Sequence, residues 1–141
     1  MLKNILKKLR SFKRKHLVNH YARHNNNYYS YGGVTVYLPP SIDFNVRYVL
    51  AKGKPFEVGE IEFLRLVLKP KMNVIELGGS VGVVSKIIRS IIGPKGIHII
   101  VEANPYLIDT LKNNSILEGN DNKTTVLNKA ISYDKDKYTF F

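Results

Sequence analysis

The sequence has 141 residues, 44% of them hydrophobic, and a formal net charge of +11, so it is long enough for one globular domain with a buried core. It contains no cysteine, which excludes disulfide frameworks and thiolate metal sites and is compatible with a reducing compartment. No segment approaches the roughly 18 consecutive apolar residues that span a bilayer, and the N-terminus lacks the features of a signal peptide. We therefore expect a cytoplasmic protein.

The positive charge is concentrated in the N-terminal region. Residues 1–42 contain eight basic residues and no acidic residue, which accounts for most of the net charge. Apolar residues recur there at helical spacing, and lysine and arginine occupy many of the other positions. These apolar residues are Leu2, Ile5, Leu6, Leu9 and Phe12. Residues 1–24 are therefore predicted to form a basic amphipathic helix.

Two interpretations of this helix remain open. It either packs as a solvated helix on the domain or on a partner, or lies on an anionic membrane surface through residues 1–15. Nucleic acid is not expected as a partner, because Phe12 is the only aromatic residue among the first twenty and no RNA-binding or zinc-finger signature follows. His16, His20 and His24 have the spacing of one helical face, which favours a solvated basic face over a metal site.

Residues 25–55 are predicted to be a linker that contains one short strand. Residues 25–31 are polar and aromatic without helical or strand periodicity, as is typical of a linker. Residues 34–38 are rich in β-branched side chains and are followed by Pro39 and Pro40, which predicts a strand that ends there.

Residues 56–141 are predicted to form a partial α/β domain. Strands are expected at 73–77, 97–102 and 124–127, with a fourth beginning at 137–141. Helices are expected at 57–68, at 83–92 and from Asn104-Pro105 to about Gly119. This alternation is typical of a Rossmann-like parallel sheet with crossover helices.

The most informative segment is residues 74–82, VIELGGSVG, in which a buried strand leads into a glycine-rich turn at the start of a helix. Glycines allow the tight turn and the close approach of a ligand, and the helix N-terminus provides free N–H groups. Ligands of open α/β sheets bind beyond the carboxyl ends of the strands, where Glu102 ends the second strand. We expect Glu102 to accept hydrogen bonds from two ribose hydroxyls and Glu76 to attract or orient a cationic amino acid moiety.

The dinucleotide fingerprint G-x-G-x-x-G is not present. Ser80 stands where the second glycine would be, and Val83 stands where the third would be. The pattern is instead E-x-G-x-x-x-G, followed by an acid at the end of the next strand. This arrangement favours a nucleoside ligand without a pyrophosphate.

The turn at 76–82 resembles motif I of class I methyltransferases, and residues 101–105, VEANP, resemble their acidic loop. Within that superfamily the chain resembles the FkbM family between about residues 56 and 141. The matching motifs, in order, are Lys69-Pro70, residues 76–82, residues 102–105 and residues 128–132. The departures are Gly79-Ser80, where the family usually has alanine and asparagine, and Ala103, where proline is common.

The resemblance implies an S-adenosylmethionine-dependent O-methyltransferase that acts on a hydroxyl of a sugar, polysaccharide or polyketide-type acceptor. The implied cofactor-binding residues are Glu76, Gly78, Gly79, Ser80, Gly82, Glu102, Ala103, Asn104, Asn128 and Ala130. For Asn128 a capping role is equally compatible, and Asn104 is expected mainly as a helix N-cap. The alternatives are an inactive cofactor-binding or interaction module and an NAD-type oxidoreductase half-domain.

The resemblance also implies that the sheet is incomplete. A class I methyltransferase has seven strands, and the sequence accounts for three plus the start of a fourth. We expect a truncated or split enzyme without its acceptor site and without an assignable catalytic base. Its first strand would be an open edge that a second chain could complete.

Overall fold

The computed structural model describes residues 2–117 and 123–131. In these ranges helices and strands follow one another along the chain, with one short 3₁₀ turn at Pro105–Leu107. The elements in chain order are α1 (Leu2–His24), β1 (Tyr28–Tyr31), β2 (Val34–Tyr37), α2 (Phe44–Ala51), α3 (Val58–Val67), β3 (Val74–Leu77), α4 (Val83–Ile92), β4 (His98–Glu102), α5 (Ile108–Ser115) and β5 (Thr124–Asn128).

The three later strands form a parallel sheet in the order β3–β4–β5. Val74 pairs with His98, and Glu102 pairs with Asn128, so the carboxyl ends of the strands lie along one edge of the sheet. The helix α4 connects β3 to β4. The α/β prediction is confirmed at this level: the arrangement is compatible with part of a Rossmann-like fold.

The two faces of this sheet differ in their exposure because side chains alternate along each strand. Glu76, His98 and Ile100 are buried on the face that carries α4 and α5. On the other face Ile75 is 68% exposed and Leu77 is 62% exposed. Among the described residues β3 is also an edge strand, with β4 as its partner.

The main core lies between α4 and an N-terminal β-hairpin. The helix α4 has the predicted bounds and buries the apolar face expected for it, including Val83 and Ile87. These side chains pack in one cluster with Tyr29, Val36 and Leu38 from the hairpin segment. The hairpin is therefore part of the domain.

The interpretation of residues 25–31 as a linker is wrong for Tyr28–Tyr31. These residues form β1, which pairs antiparallel with β2. Asn26 and Asn27 have φ angles of 50° and 61° and make the turn from α1 into the strand, a conformation that asparagine tolerates better than most residues. The strand forms because Tyr29 is fully buried in the core.

A second departure from the sequence interpretation is α2, which lies inside the segment expected to be linker. Asp43 caps this helix, since its Oδ1 accepts hydrogen bonds from the N–H groups of Asn45 at 2.8 Å and Val46 at 3.3 Å. The helix is short and buries only Leu50 completely. Its weak apolar periodicity explains why the pattern did not predict it.

The N-terminal helix α1 is confirmed over Leu2–His24. Its second half packs on the domain: Val18 is fully buried, and the ring of Tyr21 stacks on Tyr29 with centroids 5.1 Å apart. Arg14 donates a hydrogen bond to Asn45 Oδ1 at 3.1 Å. The first half is exposed to solvent.

The predicted helix after β4 is shorter than expected. It ends at Ser115, and Ile116 is already extended with a ψ of 150°. Gly119 and the strand expected at 137–141 lie outside the described residues, as does Ser132 of the last motif.

Asn114 on α5 joins three parts of the domain. Its Oδ1 accepts a hydrogen bond from Tyr37 N at 2.7 Å, and its Nδ2 donates to Tyr37 O at 2.9 Å and to Val81 O at 2.8 Å. The side chain is 3% exposed. One amide thus connects the hairpin, the glycine turn and the last helix.

We predict that Asn114→Ala lowers the free energy of unfolding by about 2 kcal/mol or more, because it leaves buried backbone groups of Tyr37 and Val81 without partners. The matched control is Asn113→Ala on the exposed side of the same helix, which should change stability by less than about 0.5 kcal/mol. Urea unfolding followed by circular dichroism measures both. Equal effects of the two substitutions would contradict the joining role of Asn114.

Candidate functional site

The glycine turn between β3 and α4 has an unusual backbone. Gly78 and Gly82 have φ angles of 88° and 85°, and Ser80 has a φ of 48°. The N–H of Gly78 donates to Val101 O at 2.7 Å, which holds the start of the turn against β4. A non-glycine residue in the left-handed region is strained, and such strain is often found at functional sites.

The glycines of the turn have different roles. A Cβ atom on Gly78 would meet no atom within 4 Å, so the space beside this residue is open to a ligand. A Cβ on Gly79 would lie 2.5 Å from Ile100 Cγ2, and one on Gly82 would lie 2.8 Å from Asn114 Cβ. Gly79 and Gly82 are therefore required for packing, and Gly78 is the glycine that leaves room for a ligand.

Glu102 lies beside this turn at the end of β4. Its Oε2 accepts a hydrogen bond from Ser80 N at 2.8 Å, and its Oε1 accepts one from Asn104 N at 2.7 Å. The residue is 8% exposed. A carboxylate has about four acceptor positions, so each oxygen retains capacity for one more donor. The sequence placed this acid correctly at the strand end, but did not indicate its two backbone partners.

Glu76 lies below the turn on the covered face of the sheet. Its Oε1 accepts a hydrogen bond from Ser85 Oγ at 3.0 Å, and its Oε2 lies 2.9 Å from His98 Nε2, an ion-pair contact when the imidazole is protonated. All three side chains are buried. Glu76 therefore faces protein partners, and its effect on a ligand would act mainly through its charge.

A shallow cleft opens between the turn and the start of α3. It encloses about 70 Å³, enough for part of a nucleoside-sized ligand. Three glutamates line it together with the turn, namely Glu57, Glu60 and Glu76, although the carboxylate of Glu76 faces Ser85 and His98. Partial burial and the nearby charges of Glu57 and Glu76 raise the pKa of Glu60 above its ordinary value. The cleft therefore favours a cationic group.

The loop after β4 is held by its own side chains. Asn104 Oδ1 accepts a hydrogen bond from Tyr106 N at 3.0 Å, which is the N-cap role expected for it. Asn128 Nδ2 donates to Glu102 O at 2.9 Å and to Ala103 O at 3.1 Å. Asn128 therefore connects the end of β5 to this loop. These contacts fit the capping role, one of the two roles expected for Asn128 from the sequence.

Ala130 is exposed beyond the end of β5. It lies in the chain segment that follows Asn128, and the contacts that position the turn and Glu102 come from other residues. Ala130 remains a candidate by resemblance only.

Sequence reasoning missed three contributors to the site. Asn114 supports the turn from α5, and Glu57 and Glu60 bring negative charge from the start of α3. Glu57 has a φ of 48°, in the left-handed region. Two acids three residues apart at a helix start were visible in the sequence, but their approach to the turn depends on the packing of α3 on α4.

Neither a metal site nor a membrane-spanning helix is present within residues 2–117 and 123–131. In these ranges no three histidine, aspartate or glutamate side chains come together in a metal-binding arrangement, and this includes the histidines of α1. None of the helices in the same ranges combines the length and apolar character needed to cross a bilayer.

A scan of protein-family models found none that matches the chain, and a search of curated proteins also found no match. The resemblance to the FkbM family therefore depends on the four sequence motifs alone.

We predict that Glu60→Gln increases stability at pH 7 by a small amount, less than about 1 kcal/mol, because it removes a carboxylate whose charged form is disfavoured in the folded state. The raised pKa of Glu60 determines the direction of the pH dependence. Ionised Glu60 destabilises the folded state, and this destabilisation disappears as the pH falls and the carboxyl of the folded protein binds a proton. Thermal unfolding at pH 7 and near pH 3.5 measures this difference.

The control for this comparison is Glu62→Gln on the same helix, since Glu62 does not line the cleft. Its effect on stability should be near zero at both pH values. A stabilisation by Glu60→Gln that is equal at the two pH values would contradict repulsion within the cleft as its cause.

Proposed function

We propose that the glycine turn, Glu102 and the acidic cleft bind S-adenosylmethionine, and that the chain is the cofactor-binding part of a class I methyltransferase of the FkbM type. The observation that carries this proposal is the position of Glu102. Its carboxylate lies at the carboxyl end of β4, held beside the turn by the N–H of Ser80 at 2.8 Å. Ligands of open parallel sheets bind at this end of the strands.

The hydrogen-bond geometry of Glu102 supports ribose binding. The N–H groups of Ser80 and Asn104 hold the two carboxylate oxygens in place, so little side-chain freedom is lost when a ligand binds. Each oxygen can accept one further hydrogen bond from a vicinal hydroxyl. Asn104 and Ala103 would then border the nucleoside through the backbone of their loop.

The charge of the cleft supports a sulfonium nucleoside over a dinucleotide. Glu57 and Glu60 are exposed beside the turn, the buried Glu76 adds its charge from within the domain, and the space beside Gly78 is open to a ligand. Such a site attracts the sulfonium and ammonium groups of S-adenosylmethionine and repels the pyrophosphate of NAD. Ser80 and Val83 are also incompatible with the dinucleotide fingerprint.

The chemistry follows from the nature of the cofactor, which supplies an electrophilic methyl group. The described residues would contribute binding and orientation: Glu102 for the ribose, Gly78 for the close approach of the ligand, and the acids of the cleft for its cationic end. The proposed acceptor is a hydroxyl of a sugar, polysaccharide or polyketide-type molecule. We assign no acceptor base among the described residues.

We predict that isothermal titration calorimetry detects binding of S-adenosylmethionine or S-adenosylhomocysteine and not of NAD. Glu102→Ala should weaken binding by about 1.5 to 3 kcal/mol, the range for hydrogen bonds to a charged group. Because this substitution also removes the acceptor of two N–H groups, unfolding is measured in parallel and titrations are made on folded protein. Preference for NAD, or an unchanged dissociation constant in the variant, would contradict the proposal.

We also predict that Gly78→Ala reduces cofactor affinity at least tenfold, a loss of about 1.4 kcal/mol, because its Cβ enters the space proposed for the ligand. The matched control is Gly53→Ala after α2. Gly53 also has a positive φ, 62°, and no atom within 4 Å of a built Cβ. Both substitutions impose backbone strain, but only the first should affect titration with S-adenosylhomocysteine. Equal affinity in the two variants would refute a ligand beside Gly78.

A further inference from the structure

The first half of α1 exposes a row of large apolar side chains. Ile5 is 48% exposed, Leu9 is 49% exposed and Phe12 is 70% exposed, and Leu6 beside them is 46% exposed. Single exposed apolar residues are common on protein surfaces. Four on one half of a single helix form a contiguous patch, and such patches mark contacts with other molecules.

Most of this patch faces away from the domain. The side chains of α1 that contact the domain include Arg14, Val18 and Tyr21, which recur at helical spacing. At about 100° per residue, Leu9 is roughly 180° around the helix from Val18. The domain therefore fixes the helix through its second half and leaves Ile5, Leu9 and Phe12 directed outward, with Leu6 at the rim of a groove toward α2.

Basic side chains flank the patch on both sides. By the same helical spacing, Lys8 lies next to Phe12 on one side, Arg10 lies next to Leu6 on the other, and Lys13 lies within the patch. No acidic residue occurs before Asp43. A groove of about 660 Å³ between α1 and the start of α2 adds further positive charge, since five of its lining residues are lysine or arginine.

We propose that residues 3–15 of α1 bind the surface of an anionic lipid bilayer, with the apolar patch inserted among the acyl chains and the flanking lysines and arginines at the headgroups. An apolar row flanked by cations is the pattern of helices that lie in the plane of a membrane interface. Long basic side chains can extend from such a helix to the headgroup level. The acidic cleft is on another part of the domain and is not involved.

The composition of the patch favours lipid over nucleic acid. Contacts to nucleic acid come mainly from basic and polar side chains to phosphates, and bases stack on aromatic rings. The row has three aliphatic side chains and one aromatic ring, and its most exposed member is Phe12, at the edge of the patch next to Lys8. Insertion into lipid uses all four apolar side chains.

The test uses the absence of tryptophan in the chain. Phe12→Trp introduces a single tryptophan into the patch, and Tyr106→Trp introduces one at a control site that is 83% exposed but outside α1. Each protein is mixed with vesicles of equal parts phosphatidylglycerol and phosphatidylcholine. We expect a blue shift of the emission and quenching by brominated acyl chains for Phe12→Trp only. An unshifted emission at position 12, or equal shifts at both positions, would overturn the proposal.

A second measurement separates the two components of binding. In vesicle co-sedimentation, the double variant Leu9→Ser and Phe12→Ser should bind at least roughly tenfold more weakly, because two buried apolar side chains are lost. The matched control is Phe63→Ser with Leu66→Ser on α3, the same residue types in exposed positions. Circular dichroism verifies that each variant is folded. Equal losses in the two double variants would overturn the assignment to α1.

The dependence of vesicle binding on salt and on lipid charge is a third test. Binding should weaken as salt rises and should be at least roughly tenfold weaker on vesicles of phosphatidylcholine alone, because anionic headgroups attract the basic residues. Binding of a DNA duplex without binding of anionic vesicles would identify nucleic acid as the partner and contradict the proposal.

Discussion

The arrangement of the site depends on the buried carboxylate of Glu102. A charged group with 8% exposure is stable only when it is well hydrogen-bonded, and the N–H groups of Ser80 and Asn104 provide these bonds. The same bonds satisfy two backbone donors in loops that have no regular secondary structure. One side chain thereby holds the glycine turn and the loop after β4 together.

A second constraint acts from the opposite side of the turn. Asn114 binds the carbonyl of Val81 and both backbone groups of Tyr37, so the turn is also connected to the hairpin. Tyr29 and the rest of the hairpin are part of the main core. The N-terminal region therefore supports the glycine turn, and the second half of α1 contributes through Tyr21, whose ring stacks on Tyr29.

The parts of the fold that sequence predicts well are those with strong local patterns. Strands β3 and β4 are short apolar runs next to glycine-rich turns, and α4 has a wide apolar face, so their bounds agree with expectation to within a residue or two. The strand Tyr28–Tyr31 and α2 were missed because their formation depends on tertiary packing. At the site, Glu102 followed from its place at a strand end, but Glu57 and Glu60 approach the turn only through the packing of α3.

The measurement that tests the proposed site most directly is a titration of nitrogen-15-labelled chain with S-adenosylhomocysteine, followed by two-dimensional NMR. If the turn and the loop after β4 form the nucleoside site, the amide signals of Gly78, Ser80 and Asn104 shift together and saturate, while those of Ser30 and Thr35 in the hairpin remain in place. Absence of shifts at the turn, or shifts centred on another part of the chain, would contradict a nucleoside site at Glu102.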